Sequence, residues 1–326
     1  MDWLGTDIDA PLVVVRALHF AVTAMTTGIL VFRAVVADAD FCPATPGGKI
    51  VRAQTLRLAA ICLALSVLSG MIWLLLVAAS MSGLALPEAM TSEVLSTVVS
   101  QTQFGRVSDI RFALAVILAG CLVYDRFPLA RRLALAISLG LIAAIAWTGH
   151  AGSTAGEIGI LHLAADALHL FAASIWIGGL VSLVLLLSAS RRDQSHAGAS
   201  FARQATERFS TMGIAAVAAI LATGIVNTWI LVGSWHALIA TGYGQLVMLK
   251  MALFAVMLMF AAANRFWLTP RLASPSGGVL RLDALRKLTR NSAIEFALAL
   301  TIFAIVGVLG TLHPAIHAFA SDAPMQ

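Results

Sequence analysis

The sequence predicts an all-α polytopic membrane protein of eight transmembrane helices, and three observations carry that prediction. The chain of 326 residues is 60% hydrophobic and 11% charged, with a mean hydropathy of +0.92. A soluble domain has no way to bury that much apolar surface. The apolar stretches are continuous rather than alternating, which argues against a β-barrel. Finally, the basic residues fall in alternate loops, as they do when a chain threads a bilayer.

A spanning helix needs about 20 mainly apolar residues. Eight segments meet or approach that requirement: 12–36, 56–80, 108–124, 129–149, 159–189, 209–233, 244–267 and 291–313, the third being the shortest. The stretch 84–104 is polar enough to read as a loop or an interfacial helix. The amino terminus, MDWLGTDIDAP, is acidic and lacks the basic region of a signal peptide, so the first span is expected to stay as an anchor. The spans divide into an N-terminal four-helix half (1–150) and a C-terminal four-helix half (151–326), forming one integral membrane unit with no soluble domain. Cys42, Cys62 and Cys121 are scattered without CxxC spacing and imply neither a disulfide framework nor a zinc site.

The formal charge of +5 is a matter of topology rather than of nucleic-acid binding. Of the 21 Lys and Arg residues, 17 fall around the first, third, fifth and seventh loops; Arg16, Arg106, Arg111 and Lys250 lie elsewhere. Positive-inside logic places those loops in the cytoplasm and both termini in the periplasm.

That orientation sorts the eight histidines by depth. His19 lies about 10 Å below the outer boundary at about 1.5 Å per residue. His150 follows span 4, His162 stands at the outer mouth of span 5 and His169 lies about 10 Å deeper. His236 sits in the sixth loop, and His313 and His317 end span 8. Only His196 is cytoplasmic. A single histidine at a helix end, such as His236 or His317, is most simply a satisfied polar group. His19, His169 and Asp166 differ, because an ionisable group within a span is costly and marks a functional interior.

In the run HLAADALHL, His162, Asp166 and His169 share one helix face. The two imidazoles are nevertheless about 10 Å apart along the axis, too far to bind one ion from a regular helix at about 2.0 Å. The run therefore offers two rungs. The upper has His162, with His150 and His313 as companions. The lower has His169 and Asp166, with His19 at similar depth. Asp166 is either a ligand or a carboxylate that fixes a histidine tautomer. Imidazole with carboxylate suits Cu(II), Zn(II), Ni(II) or iron, whereas thioether favours Cu(I). Met25, Met248 and Met251 are candidate thioethers, although methionine in a membrane helix is usually flexible filler.

Lys250 needs a partner, and Asp166 is one; the pair reads equally as structural or as part of transport. Glu295 near the cytoplasmic end of span 8 reads as a packing or helix-end group. Asn227 can hydrogen-bond across helices, and Gly178, Gly179 and Gly224 permit close helix contact. No P-loop, GxSxG, HExxH or dinucleotide fingerprint is present, so an enzyme is not expected.

The run HLAADALHLFAASIWIGGL resembles the signature span of the CopD (PcoD) copper-resistance membrane family. The segments FSTMGIAAVAAILATGIVNTW, TGYGQLVMLKMALFAVMLMFAAANRFWLTPRL and LTRNSAIEFALALTIFAIVGVLGTLHPA resemble it in the same order, covering 159–315; the first four spans match only in helix count and a histidine in span 1. The resemblance implies an inner-membrane protein of copper homeostasis, moving copper from periplasm to cytoplasm in concert with a periplasmic CopC-like carrier. It also implies that His162 and His169 occupy the family's polar positions, followed by Trp176 and Gly178–Gly179, with Lys250, Asn227 and Glu295 at motif positions.

Three readings follow. The first is copper movement through a site of His19, His150, His162, Asp166, His169 and His313, joined by Met25, Met248, Met251 or Lys250, with copper as Cu(I) or Cu(II). The second is a haem b redox protein with His19 and His169 as axial ligands. The third is a non-transporting membrane dock or sensor for periplasmic copper.

Overall fold

The computed structural model describes residues 9–36, 46–192, 196–273 and 278–317. Helices form wherever the apolar runs leave backbone groups that only an internal hydrogen-bond ladder can satisfy in lipid. In chain order they are α1 (Ala10–Val35), α2 (Pro46–Ser82), the short α3 (Leu86–Ala89) and α4 (Ser92–Gln101), α5 (Gln103–Val123) and α6 (Pro128–Ala143). There follow α7 (His150–Ser153), α8 (Gly156–Arg192), α9 (His196–Val232), α10 (Trp235–Ala240), α11 (Gly242–Ala263) and α12 (Gly278–Leu309).

Seven of these elements are long and apolar enough to cross a membrane. The third of the seven is α6 extended by a 3₁₀ turn over Ala144–Thr148, and the sixth is α11 extended by a π turn over Asn264–Leu268. The segment expected as the third span is a continuous helix, α5. It is not among the seven, because Arg106, Asp109 and Arg111 interrupt the apolar character of its first half. The stretch 84–104, left open between loop and interfacial helix, contains α3 and α4.

Local signals set the ends. Asp9 caps α1 by accepting from the Leu12 amide at 3.2 Å, and Thr102 and Thr241 cap α5 and α11 through the Gly105 and Gly244 amides, the ordinary use of short hydroxyl and carboxylate side chains at helix starts. Pro128 opens α6, where its missing N–H costs nothing. Gly156, at φ +72°, turns the chain into α8 with a backbone conformation that L side chains rarely adopt.

The bundle is organised around α1 and α8, the two most deeply buried helices. They cross at Gly28 and Gly178. A Cβ on Gly178 would stand 2.5 Å from the Gly28 Cα, and a Cβ on Gly28 would overlap the Ser174 carbonyl. Only hydrogen at both positions permits this approach, the small-residue packing that membrane helices use in place of a hydrophobic driving force. Gly179 is filled on its far side by the Phe209 ring of α9. α2, α5 and α6 pack on the α1 side and α9 on the α8 side, with α12 touching both central helices and carrying α11 outside it. At one end of α1, Arg33 holds Asp125 of the α5–α6 turn through two bonds of 2.8 and 2.7 Å. At the other, Arg16 Nη1 donates to the Gly310 carbonyl at 2.7 Å. Cys62 and Cys121 are free and buried; Cys42 lies outside the described residues.

Candidate intramembrane polar site

Because α1 and α8 face one another through small residues, their polar side chains are directed to the helices flanking them. His19 on α1 is 2% exposed. Its Nδ1 lies 2.9 Å from Ser69 Oγ of α2, and Ser69 donates its only hydroxyl hydrogen back to the Leu65 carbonyl at 2.6 Å. Ser69 must therefore accept from an Nδ1–H of His19. The proton is thereby assigned to Nδ1, leaving Nε2 as a bare lone pair, buried and without a partner. Gly70 makes room for the ring: a Cβ there would meet His19 Cε1 at 3.2 Å. Trp73 lies over His19 with centroids 5.5 Å apart.

The same arrangement recurs on α8. His169 Nδ1 lies 2.9 Å from Thr223 Oγ1 of α9, and Thr223 donates to the Ala219 carbonyl at 2.6 Å. Near the start of α8, His162 is 1% exposed and its Nδ1 lies 2.8 Å from Thr154 Oγ1. Thr154 donates to the His150 carbonyl at 3.0 Å. In all three cases a hydroxyl committed to a backbone carbonyl holds the imidazole in its Nδ1–H form. A histidine about to ligate a metal through Nε2 is ordinarily oriented in this way.

Asp166, one turn before His169, accepts from Asn227 Nδ2 at 3.2 Å. Lys250 of α11 and the buried Tyr243 interact electrostatically with the same carboxylate. The i, i+3 pair Asp166–His169 on α8 thus meets the i, i+4 pair Thr223–Asn227 on α9, as helical faces require. The expected cross-helix role of Asn227 is present, whereas Lys250 acts on Asp166 through its charge, without an ion-pair contact among the described residues.

The predicted rungs assemble in part. His150 and His162 are close enough for their rings to interact electrostatically. The His150 ring also lies 6.4 Å from that of Tyr243, with its Nε2 3.4 Å from the Leu309 carbonyl. His313 follows α12 as an exposed residue. His19 is surrounded by α1, α2 and α5, whereas Asp166 and His169 are surrounded by α9 and α11. The lower rung is therefore two polar nests, one in each half of the chain. Among the described residues, no three of His, Cys, Asp and Glu come together as a preformed metal cluster. Met25 is half-buried between two parts of the core, Met248 packs with Val247 and Leu309, and Met251 is 55% exposed on the outside of α11.

A third polar group lies between α11 and α12. Glu295, 2% exposed, accepts from Asn264 Nδ2 at 2.7 Å, and Asn264 accepts from Asn291 at 2.9 Å. Asn264 opens the π turn and bonds both Glu295 and Asn291 of α12. This network gives Glu295 a definite packing role. Sequence reasoning did not single out Ser69, Thr154, Thr223 or Arg111. A hydroxyl in an apolar span carries no sign of whether it back-bonds to its own helix or also holds a neighbour.

The fold is thus that of a polytopic helical membrane protein with imidazoles held in its interior by hydroxyls, the Nε2 of His19 being buried without a partner. Residues 7–160 match the family described as copper resistance protein D-like, N-terminal domain, and residues 203–309 match copper resistance protein D. Copper resistance protein D of Pseudomonas syringae pv. tomato is 33% identical over 223 residues, 68% of this chain and 72% of that protein. Inner membrane protein YebZ of Escherichia coli (strain K12) is 29% identical over 218 residues, 66% of this chain and 71% of that one. Copper transport protein CutJ of Bacillus subtilis (strain 168) is 40% identical over 126 residues, 38% of this chain and 22% of that protein. No solved structure matches. The chain belongs to the copper resistance protein D family.

Proposed function

We propose that this protein moves copper across the bacterial inner membrane from periplasm to cytoplasm, as a transporter rather than an enzyme. Copper is the cargo. It enters beside His150 and His162 at the outer end of α8, passes to the His169–Asp166 nest, and has His19 as a further ligand across the α1–α8 pair. A periplasmic carrier of the CopC type delivers it to the outer face. In this reading α5 is an eighth crossing and both termini are periplasmic.

The observation that carries the proposal is the common state of His19, His162 and His169. Each is fixed as the Nδ1–H tautomer by a hydroxyl, so each presents Nε2 to a soft or borderline cation. The names of the relatives from Pseudomonas and Bacillus, copper resistance and copper transport proteins, support the same reading.

The test is copper uptake into sealed proteoliposomes containing the purified full chain. We expect saturable influx, reduced by about tenfold or more in His162→Ala and His169→Ala, within the range for losing a metal-site residue. Exposed His313→Ala should leave it nearly unchanged. Uptake that survives both substitutions overturns the pathway. Copper bound stoichiometrically without influx would identify a dock or sensor instead. A Soret band lost with His169→Ala would identify haem ligation.

A further inference from the structure

Arg111 of α5 is 6% exposed, yet among the described residues its guanidinium forms no ion pair and no hydrogen bond, and its Nε is buried without a partner. Its guanidinium carbon lies 5.9 Å from the centroid of the Trp73 ring. Arg16 lies 5.2 Å from the centroid of the same indole, and its Nε is likewise buried and unpartnered. Two cations are therefore gathered around one buried tryptophan. Removing an unpaired charge from water is among the largest penalties a fold can carry, and it persists only where something compensates it.

Beside Arg111 is a half-open cavity of ≈ 160 Å³ between α1, α2 and α5, lined by His19, Ser66, Gly70, Ser108, Asp109 and Arg111 among apolar side chains, with the exposed Met71 and Phe112 at its open side. At about 30 Å³ per water, it holds a few waters or a small ion with part of its hydration shell. Its hydroxyl hydrogens are already spent: Ser108 donates to the Phe104 carbonyl at 2.8 Å, and Ser66 faces Thr23 at 2.7 Å. The free donors are those of the guanidinium. Asp109 borders the space as an exposed residue and makes no ion pair with Arg111.

We propose that this cavity binds a small monovalent anion of the chloride class, held by the buried guanidinium of Arg111 next to His19. The size of the space and its largely apolar walls select a weakly hydrated halide over phosphate or a polycarboxylate. The site shares His19 with the proposed copper pathway, but none of the features that argue for an anion depends on a metal.

The experiment uses the full chain in neutral detergent without copper. Thermal unfolding is followed while chloride replaces gluconate at constant ionic strength. We expect a saturable rise in Tm of about 5 °C at chloride well above its dissociation constant, abolished in Arg111→Gln and partly retained in Arg111→Lys. Inorganic phosphate should give no such rise. A Tm indifferent to chloride, or an equal response in Arg111→Gln, overturns the proposal. Should Arg111→Gln fail to fold, iodide quenching decides on the folded chain. Trp73 is 2% exposed, so a saturable quench present in the wild-type chain and missing in Trp73→Phe places the anion in the cavity. Absence of that component overturns it.

Discussion

A hydroxyl that donates to its own helix has nothing left to offer except its lone pairs, and this chain uses that simple count three times to prepare an imidazole. Thr223, like Ser69, lies on a different helix from the ring it orients: Thr223 Oγ1 spends its hydrogen on Ala219 and accepts from His169. Thr223→Val keeps the volume and removes the acceptor. The freed Nδ1–H then costs its buried hydrogen bond, and the neutral ring is no longer biased toward Nε2 as the lone-pair nitrogen. We expect copper affinity to fall about 10–100-fold, with Thr223→Ser restoring most of it; competitive titration against a copper chelator measures both. An unchanged affinity in Thr223→Val would remove His169 from the list of ligands.

Helix order was legible in the sequence, because hydropathy acts locally, and seven of the eight expected spans are long and apolar enough to cross; the helix starts at Asp9, Pro128 and Thr241 were not read from it. Gly178 was legible only as a small residue, and its partner Gly28 was not, since a crossing is a property of two helices and neither sequence names the other. The same limit applied to the site. Spacing placed His162, Asp166 and His169 on one face correctly, but depth alone put His19 beside them, and depth says nothing about rotation around the bundle. The crossing itself makes a sharp prediction. Gly178→Leu introduces a side chain whose first atom already meets the Gly28 backbone, and backbone cannot swing aside as a side chain does. The α1–α8 pair must separate, at a cost at or above the roughly 1–3 kcal/mol typical of overpacking. Thermal unfolding in detergent should show a Tm lower by several degrees or no folded protein, whereas Gly213→Leu, where a Cβ meets open space on α9, should unfold near the wild-type temperature.

At the scale of the whole molecule the open question is whether α5 crosses. Seven crossings put the termini on opposite sides of the membrane; an eighth returns them to the same side. Charge argues for the eighth. With α5 as a crossing, the Arg126, Arg131 and Arg132 cluster joins the basic first, fifth and seventh loops on one side, which is the asymmetry that orients membrane proteins. The charges in α5 also sit where a crossing helix tolerates them. Arg106 and Asp109 are exposed in its first turns, within reach of the outer interface, while Arg111 is turned into the bundle against Trp73. Cysteine labelling in intact cells tests this directly, on a chain whose Cys62 and Cys121 are buried. A membrane-impermeant maleimide should label Gln101→Cys at the end of α4 and should not label Arg126→Cys after α5 until the membrane is permeabilised. Labelling of both positions from outside would make α5 a surface helix, leave seven crossings, and place the carboxy terminus in the cytoplasm.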